Sequence, residues 1–136
     1  MERDEFFNYR MLTYEVKKLR STLSALEASI YSPAGQRYTH TPRGTSGGHS
    51  MDDVIASHAA LEELYREKLA AKNAQLLAVE QAIESLADPA QRLVMRYRYI
   101  DGHGWRKVCG LMQPRGYSER TVYRLHGEAL RKLKEV

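Results

Sequence analysis

Tyr9, Leu12, Val16, Leu19, Leu23, Leu26 and Ile30 follow one another at alternating spacings of 3 and 4 residues, the apolar seam of a helix that packs lengthwise on another helix. A second seam has the same alternation: Tyr65, Leu69, Lys72, Leu76, Val79, Ile83 and Leu86, with Lys72 the polar intruder and Ile55 and His58 extending it backwards. These patterns predict helices over Arg3 to Tyr31 and Met51 to Leu86. At 1.5 Å per residue they are rods of roughly 40 and 50 Å, too long and narrow to bury a seam alone. Each needs a partner.

Between them Ser32 to Gly48 reads SPAGQRYTHTPRGTSGG, rich in Gly, Pro, Ser and Thr and unable to build a core, so residues 32–50 are expected to be a flexible loop. Two arrangements satisfy the seams. Helix two folds back on helix one as an antiparallel hairpin, or two chains share a four-helix bundle as a homodimer.

The remaining chain changes character. From Asp88 to Val136 there are 11 Lys/Arg against 5 Asp/Glu, whereas Met1 to Ala87 carries 10 against 12. Basic character concentrated in one third points to a polyanionic partner for that third. Domains are accordingly expected at 1–87 and 88–136. Asp88-Pro89 starts a third helix to Ile100, since Asp caps free amides and proline is tolerated at the first helical position. Its apolar face is Leu93, Tyr97 and Ile100, with Arg92, Arg96 and Arg98 making the rest basic. Asp101-Gly102-His103-Gly104 breaks it. A fourth helix, Trp105 to Met112, presents Trp105, Val108, Cys109 and Met112 on one side. Gln113 to Tyr117 ends it, and Ser118 caps a fifth helix running to about Lys134 with Val122, Leu125, Ala129, Leu130 and Leu133 inward.

The expected fold is therefore all-α: a long N-terminal helical hairpin or coiled coil followed by a three-helix helix-turn-helix module. A short helix, a turn and a longer capped helix let one helix brace on the DNA backbone while the next enters the major groove. Arg120, Arg124 and Arg131 fall at i, i+4 and i+11, with Gly127 at i+7, on the side away from the core positions. The N-terminal turns of such a helix reach deepest, which makes Glu119, Arg120, Thr121, Tyr123 and Arg124 the candidates for base contact and Lys132 and Lys134 those for phosphates.

RLVMRYRYIDGHGWRKVCGLM followed by YSERTVYRLHGEALRKL resembles region 4 of sigma-70 family factors, and the final ALRKL is especially similar. With the heptad helix pair and the TPRG-containing loop, nearly the whole chain is similar to small phage and prophage sigma-like transcription regulators. The resemblance implies promoter DNA as ligand, transcription control of phage genes, contact with RNA polymerase, and the same five groove-reading residues on the last helix. Two features depart from the family pattern. Gln113-Pro114-Arg115 is inserted in the turn, and Gly104 stands where a Ser or Thr cap is usual.

Other classes find little support. Cys109 is the single cysteine, which fits a reducing compartment and a cytoplasmic location and provides neither disulfide nor cysteine zinc cluster. His40, His49, His58, His103 and His126 lack metal-ligand spacing, and His126 is expected to be a solvated histidine beside the groove face. Cys109 and Trp105 are expected in the core. No glycine-rich phosphate loop, nucleophile–base pair or carboxylate cluster occurs, so neither an enzyme nor a cofactor is expected. No apolar run is long enough for a membrane span. The competing functional readings are a DNA-packaging adaptor of the terminase small-subunit type and a coiled-coil protein-interaction module.

Overall fold

The structure, a computed structural model, describes residues 1–31 and 51–135. The loop expected at 32–50 lies outside the described residues. Those described are all-helical and without strands: α1 (Arg3–Tyr31), α2 (Met51–Glu84), α3 (Pro89–Met95) continued by a π turn (Arg96–Ile100), α4 (Trp105–Met112) followed by a 3-10 turn (Gln113–Arg115), and α5 (Glu119–Lys134).

Contacts divide the chain into two compact units, Met1–Tyr14 with Ala71–Val136, and Glu15–Ala70. The boundary expected at 87 coincides with neither edge. In the smaller unit Val16 and Leu23 are buried, with Leu19 and Leu26 half-buried beside them along the seam. Glu15 Oε2 meets Lys68 Nζ at 2.7 Å and Glu27 Oε2 meets His58 Nε2 at 3.2 Å. Early residues of one segment thus pair with late residues of the other, the sense of antiparallel helices. Ile55 of the second seam is exposed.

The larger unit has two cores. One gathers Phe6 and Tyr9 of α1, Val79 and Ile83 of α2, Leu86, Met95 and Tyr99, and Ala129 and Leu133 of α5. The other joins Val94, Val108, Met112, Val122 and Leu125. Burying an aliphatic or aromatic side chain of this size contributes about 1.5–3 kcal/mol, so the first turns of α1 and the last turns of α2 are integral to the fold that carries α5.

α3 lies between these cores, which corrects the single apolar face expected for it. Val94, Met95 and Tyr99 are buried, whereas Leu93, Tyr97 and Ile100 are only half-buried and border the cores from either side. A one-stripe reading of the 3.6-residue period assumes one covered face, and this helix has two. Asp88 Oδ1 accepts from Ala90 N at 2.9 Å and Pro89 occupies the first helical position, as expected. At the far end Asp101 N donates to Arg96 O at 2.9 Å, an i to i+5 bond that widens the last turn. Gly102, with φ of 74°, then reverses the chain, and His103 N reaches back to Tyr97 O at 3.0 Å.

Nor are the arginines of α3 a solvated face. Arg92 Nη1 donates to Leu86 O at 2.6 Å and to Ala87 O at 3.2 Å, satisfying carbonyls just past α2. Arg96 Nη2 bridges Glu80 at 2.8 Å and Glu84 at 2.6 Å, and the Arg96 hydrogen bond holds the Glu84 carboxyl below its ordinary range. The Arg98 guanidinium stands over the Trp105 ring, 4.5 Å from its centroid.

Candidate nucleic-acid interface

α5 is presented by its cap and by the turn before it. Gly116 has φ of 95°, the left-handed conformation that glycine adopts without a Cβ penalty, and its N–H bonds Gln113 O at 2.9 Å. Gln113-Pro114-Arg115 forms one turn of 3-10 helix. Ser118 has extended backbone angles, and its Oγ accepts from Thr121 N at 3.2 Å, satisfying one of the free amides at the helix start. Gly104, at the corresponding place before α4, makes no side-chain cap bond.

Val122, Leu125, Ala129 and Leu133 are buried as expected, and Leu130 is half-buried. On the opposite side Glu119, Arg120, Tyr123, Arg124, Gly127, Arg131 and Lys134 are exposed. Thr121 differs from the others. It is half-buried, and its Oγ1 lies 2.9 Å from Ser118 Oγ, so its hydroxyl belongs to the cap. Tyr123 is 44% exposed with its ring 5.0 Å from that of Trp105, which fixes its direction.

A polar chain crosses the middle of the helix. Arg124 Nη1 donates to Glu128 Oε1 at 3.0 Å, Gln91 Nε2 donates to Glu128 Oε2 at 3.1 Å, and Lys132 Nζ donates to Gln91 Oε1 at 3.2 Å. Gln91 is buried, so this chain satisfies a core amide while tethering Lys132. Lys132 is exposed but engaged; Lys134 and Arg131 make no ion pair among the described residues.

His126 overturns its expectation. It is buried, its Nε2 lies 2.7 Å from the Tyr99 hydroxyl, and Trp105 meets it edge-on at 4.6 Å between centroids. Burial, then the positive charges of Arg3 and Arg98, lowers its pKa from 6.5 to about 4. The imidazole is therefore neutral near pH 7 and shares one hydrogen bond with the Tyr99 hydroxyl through Nε2. Burial likewise raises the Tyr99 hydroxyl pKa, against the opposing charges of Arg98, Arg3 and Arg10. Sequence position placed His126 next to the polar stripe, but a helix seated among α1, α3 and α4 has a wider covered arc than a two-helix contact.

The half-buried Cys109 has its thiol pKa raised by burial and then by Glu119, the opposite of what a reactive thiolate needs. Among the described residues no group of three or more His, Cys, Asp or Glu is disposed to hold a metal ion, and no helix is long and apolar enough to cross a membrane.

Sequence reasoning missed Arg10. Its Nη2 donates to Gly102 O at 3.4 Å and to His103 O at 3.5 Å, while Arg98 Nη1 reaches the same His103 carbonyl at 3.2 Å. No periodicity within α1 signals a partner more than 90 residues away. In comparisons with known proteins the chain matches no family model, no curated protein and no solved structure.

Proposed function

We propose that this chain binds duplex DNA with sequence preference, using α3, α4 and α5 as a helix-turn-helix module whose last helix enters the major groove. The observation that carries the reading is the exposed face of α5, where Glu119, Arg120, Tyr123 and Arg124 occupy the first two turns and Arg131 and Lys134 continue the same basic side. A major groove about 12 Å wide admits one helix, and an arginine there donates two parallel hydrogen bonds to the O6 and N7 of guanine. Arg124 would exchange its exposed i, i+4 pair with Glu128 for such a contact at small cost, since pairs of this kind contribute about 0.3–0.5 kcal/mol. Exposed Lys134 and Arg131 suit phosphates, and Lys132 joins them on release from Gln91.

The resemblance to sigma region 4 supports a role as a phage- or prophage-type transcription regulator, acting in the cytoplasm on promoter DNA with RNA polymerase as protein partner, and not as an enzyme. Self-association through the N-terminal helices belongs to the same proposal, supported by Leu64 and Leu77 of α2 standing 39% and 65% exposed.

The test is selection of bound sequences from a random duplex pool at about 0.15 M salt, where weak nonspecific attraction is screened. The native protein should enrich one motif and Arg120→Ala/Arg124→Ala should not. Absence of any enriched motif with the native protein refutes sequence reading.

A further inference from the structure

Arg10 and Arg98 converge on one carbonyl oxygen, that of His103, so two guanidinium groups stand within a few ångströms of each other. The positive charge of Arg3 also acts on the Tyr99 and His126 that Arg98 acts on. Ion pairs among the described residues engage Arg66, Arg96 and Arg124 but none of these three. What faces them is the Gly102 and His103 carbonyls beyond the end of α3 and, for Arg98, the Trp105 ring and the Tyr99 hydroxyl, none of them a full negative charge. The terminus of a helix carries on the order of half a negative charge, against two full positive ones. Moreover, the Nε atoms of both Arg10 and Arg98 are buried without a hydrogen-bond partner. Unmade bonds on a buried charged group are costly, and like charges in contact add to that cost. Both side chains are half-buried, not closed off, which leaves the pair open to a small anion.

We propose that Arg10 and Arg98 form a phosphate-binding site whose occupant is a phosphate of the duplex backbone beside α5. Guanidinium groups match phosphate oxygens with paired, charge-assisted hydrogen bonds. The position agrees with this occupant. Arg98 lies 4.5 Å from the Trp105 centroid and Trp105 lies 5.0 Å from Tyr123 on the exposed face of α5, two steps that together fall short of the roughly 12 Å width of the major groove. A duplex held by α5 would then have its backbone within reach of the cluster. The same phosphate chemistry is offered by the free anion. Only the duplex source rests on the DNA-binding reading.

The experiment compares the native full chain with Arg10→Gln and Arg10→Lys using two probes. The first is inorganic phosphate against chloride at matched ionic strength, read as the midpoint of thermal unfolding. The second is a fixed 30-base-pair duplex, read as the dependence of affinity on salt. Removing one of two crowded cations should leave the Arg10→Gln midpoint in chloride unchanged or higher. Phosphate should raise the native midpoint by several degrees and the Arg10→Gln midpoint little, with Arg10→Lys between them. On the duplex the log–log salt slope of Arg10→Gln should shrink by about 0.9, the release of one counterion. A phosphate response without duplex binding would keep the site with the free anion as its occupant and remove the DNA reading. The proposal is overturned if Arg10→Gln loses stability in chloride while its phosphate response and salt slope match those of the native chain, because the arginines then serve only to cap carbonyls.

Discussion

Lowering the pH from 7 to 4.5 should destabilise this protein through one buried side chain. His126 keeps a pKa of about 4 in the folded chain, against 6.5 when solvated. A depressed pKa means that the unfolded state binds the proton first, so the stability contributed by the neutral imidazole is whole above pH 6.5 and drains away as the pH falls toward 4. Each unit of separation corresponds to about 1.4 kcal/mol, and at pH 4.5 nearly two of them have been traversed, a loss of about 2.5 kcal/mol. For a chain of this size that lowers the unfolding midpoint on the order of 10 °C. Trp105, the single tryptophan, meets the His126 ring at 4.6 Å, so urea unfolding followed by its fluorescence reads the relevant core. His126→Gln retains a hydrogen-bonding partner for the Tyr99 hydroxyl but cannot charge. Its stability should be lower than native at pH 7 and should fall by about 2.5 kcal/mol less between the two pH values. Equal losses in native and variant would refute the reasoning, since carboxylate titration is common to both.

Three further outcomes are expected. Ser118→Ala removes the acceptor for Thr121 N and should cost about 1 kcal/mol in denaturant unfolding, with Ser118→Asp restoring most of it. Gly116→Ala places a Cβ at φ of 95°, and although open space surrounds that atom, the backbone strain should cost roughly 1–2 kcal/mol by the same assay. An isolated 88–136 fragment, deprived of Phe6, Tyr9, Val79, Ile83 and Leu86, should melt without a cooperative transition by circular dichroism, whereas a fragment that melts sharply would show that those residues are dispensable.

Element positions were readable because their signals are local. The Asp88-Pro89 start, the Ser118 cap, the glycine at 116 and the 3-4 seams each act over a few residues, and the helices begin and end close to where those signals lie. The exposed face of α5 was readable for the same reason, since Val122, Leu125, Ala129 and Leu133 recur at helical spacing on one side even though they feed two cores. The roles of Thr121 and Lys132 were not, because Thr121 turns its hydroxyl to Ser118 and Lys132 is drawn to Gln91, 41 residues earlier. The failures concentrate where a helix is covered from more than one side. Tyr99 and His126 lie outside the single stripe that one covered face would give, yet they form the buried pair beside Trp105.

The sequence by itself determined that the described chain is helical, where its helices are capped and which side of α5 carries charge, since hydrogen bonding and side-chain periodicity are properties of contiguous residues. Tertiary structure alone decided that the start of α1 and the end of α2 complete the fold around α5, that His126 stays neutral, and that Arg10 meets Arg98 at His103 O. Burial and charge proximity depend on distances between residues far apart in the chain, and no local pattern encodes them.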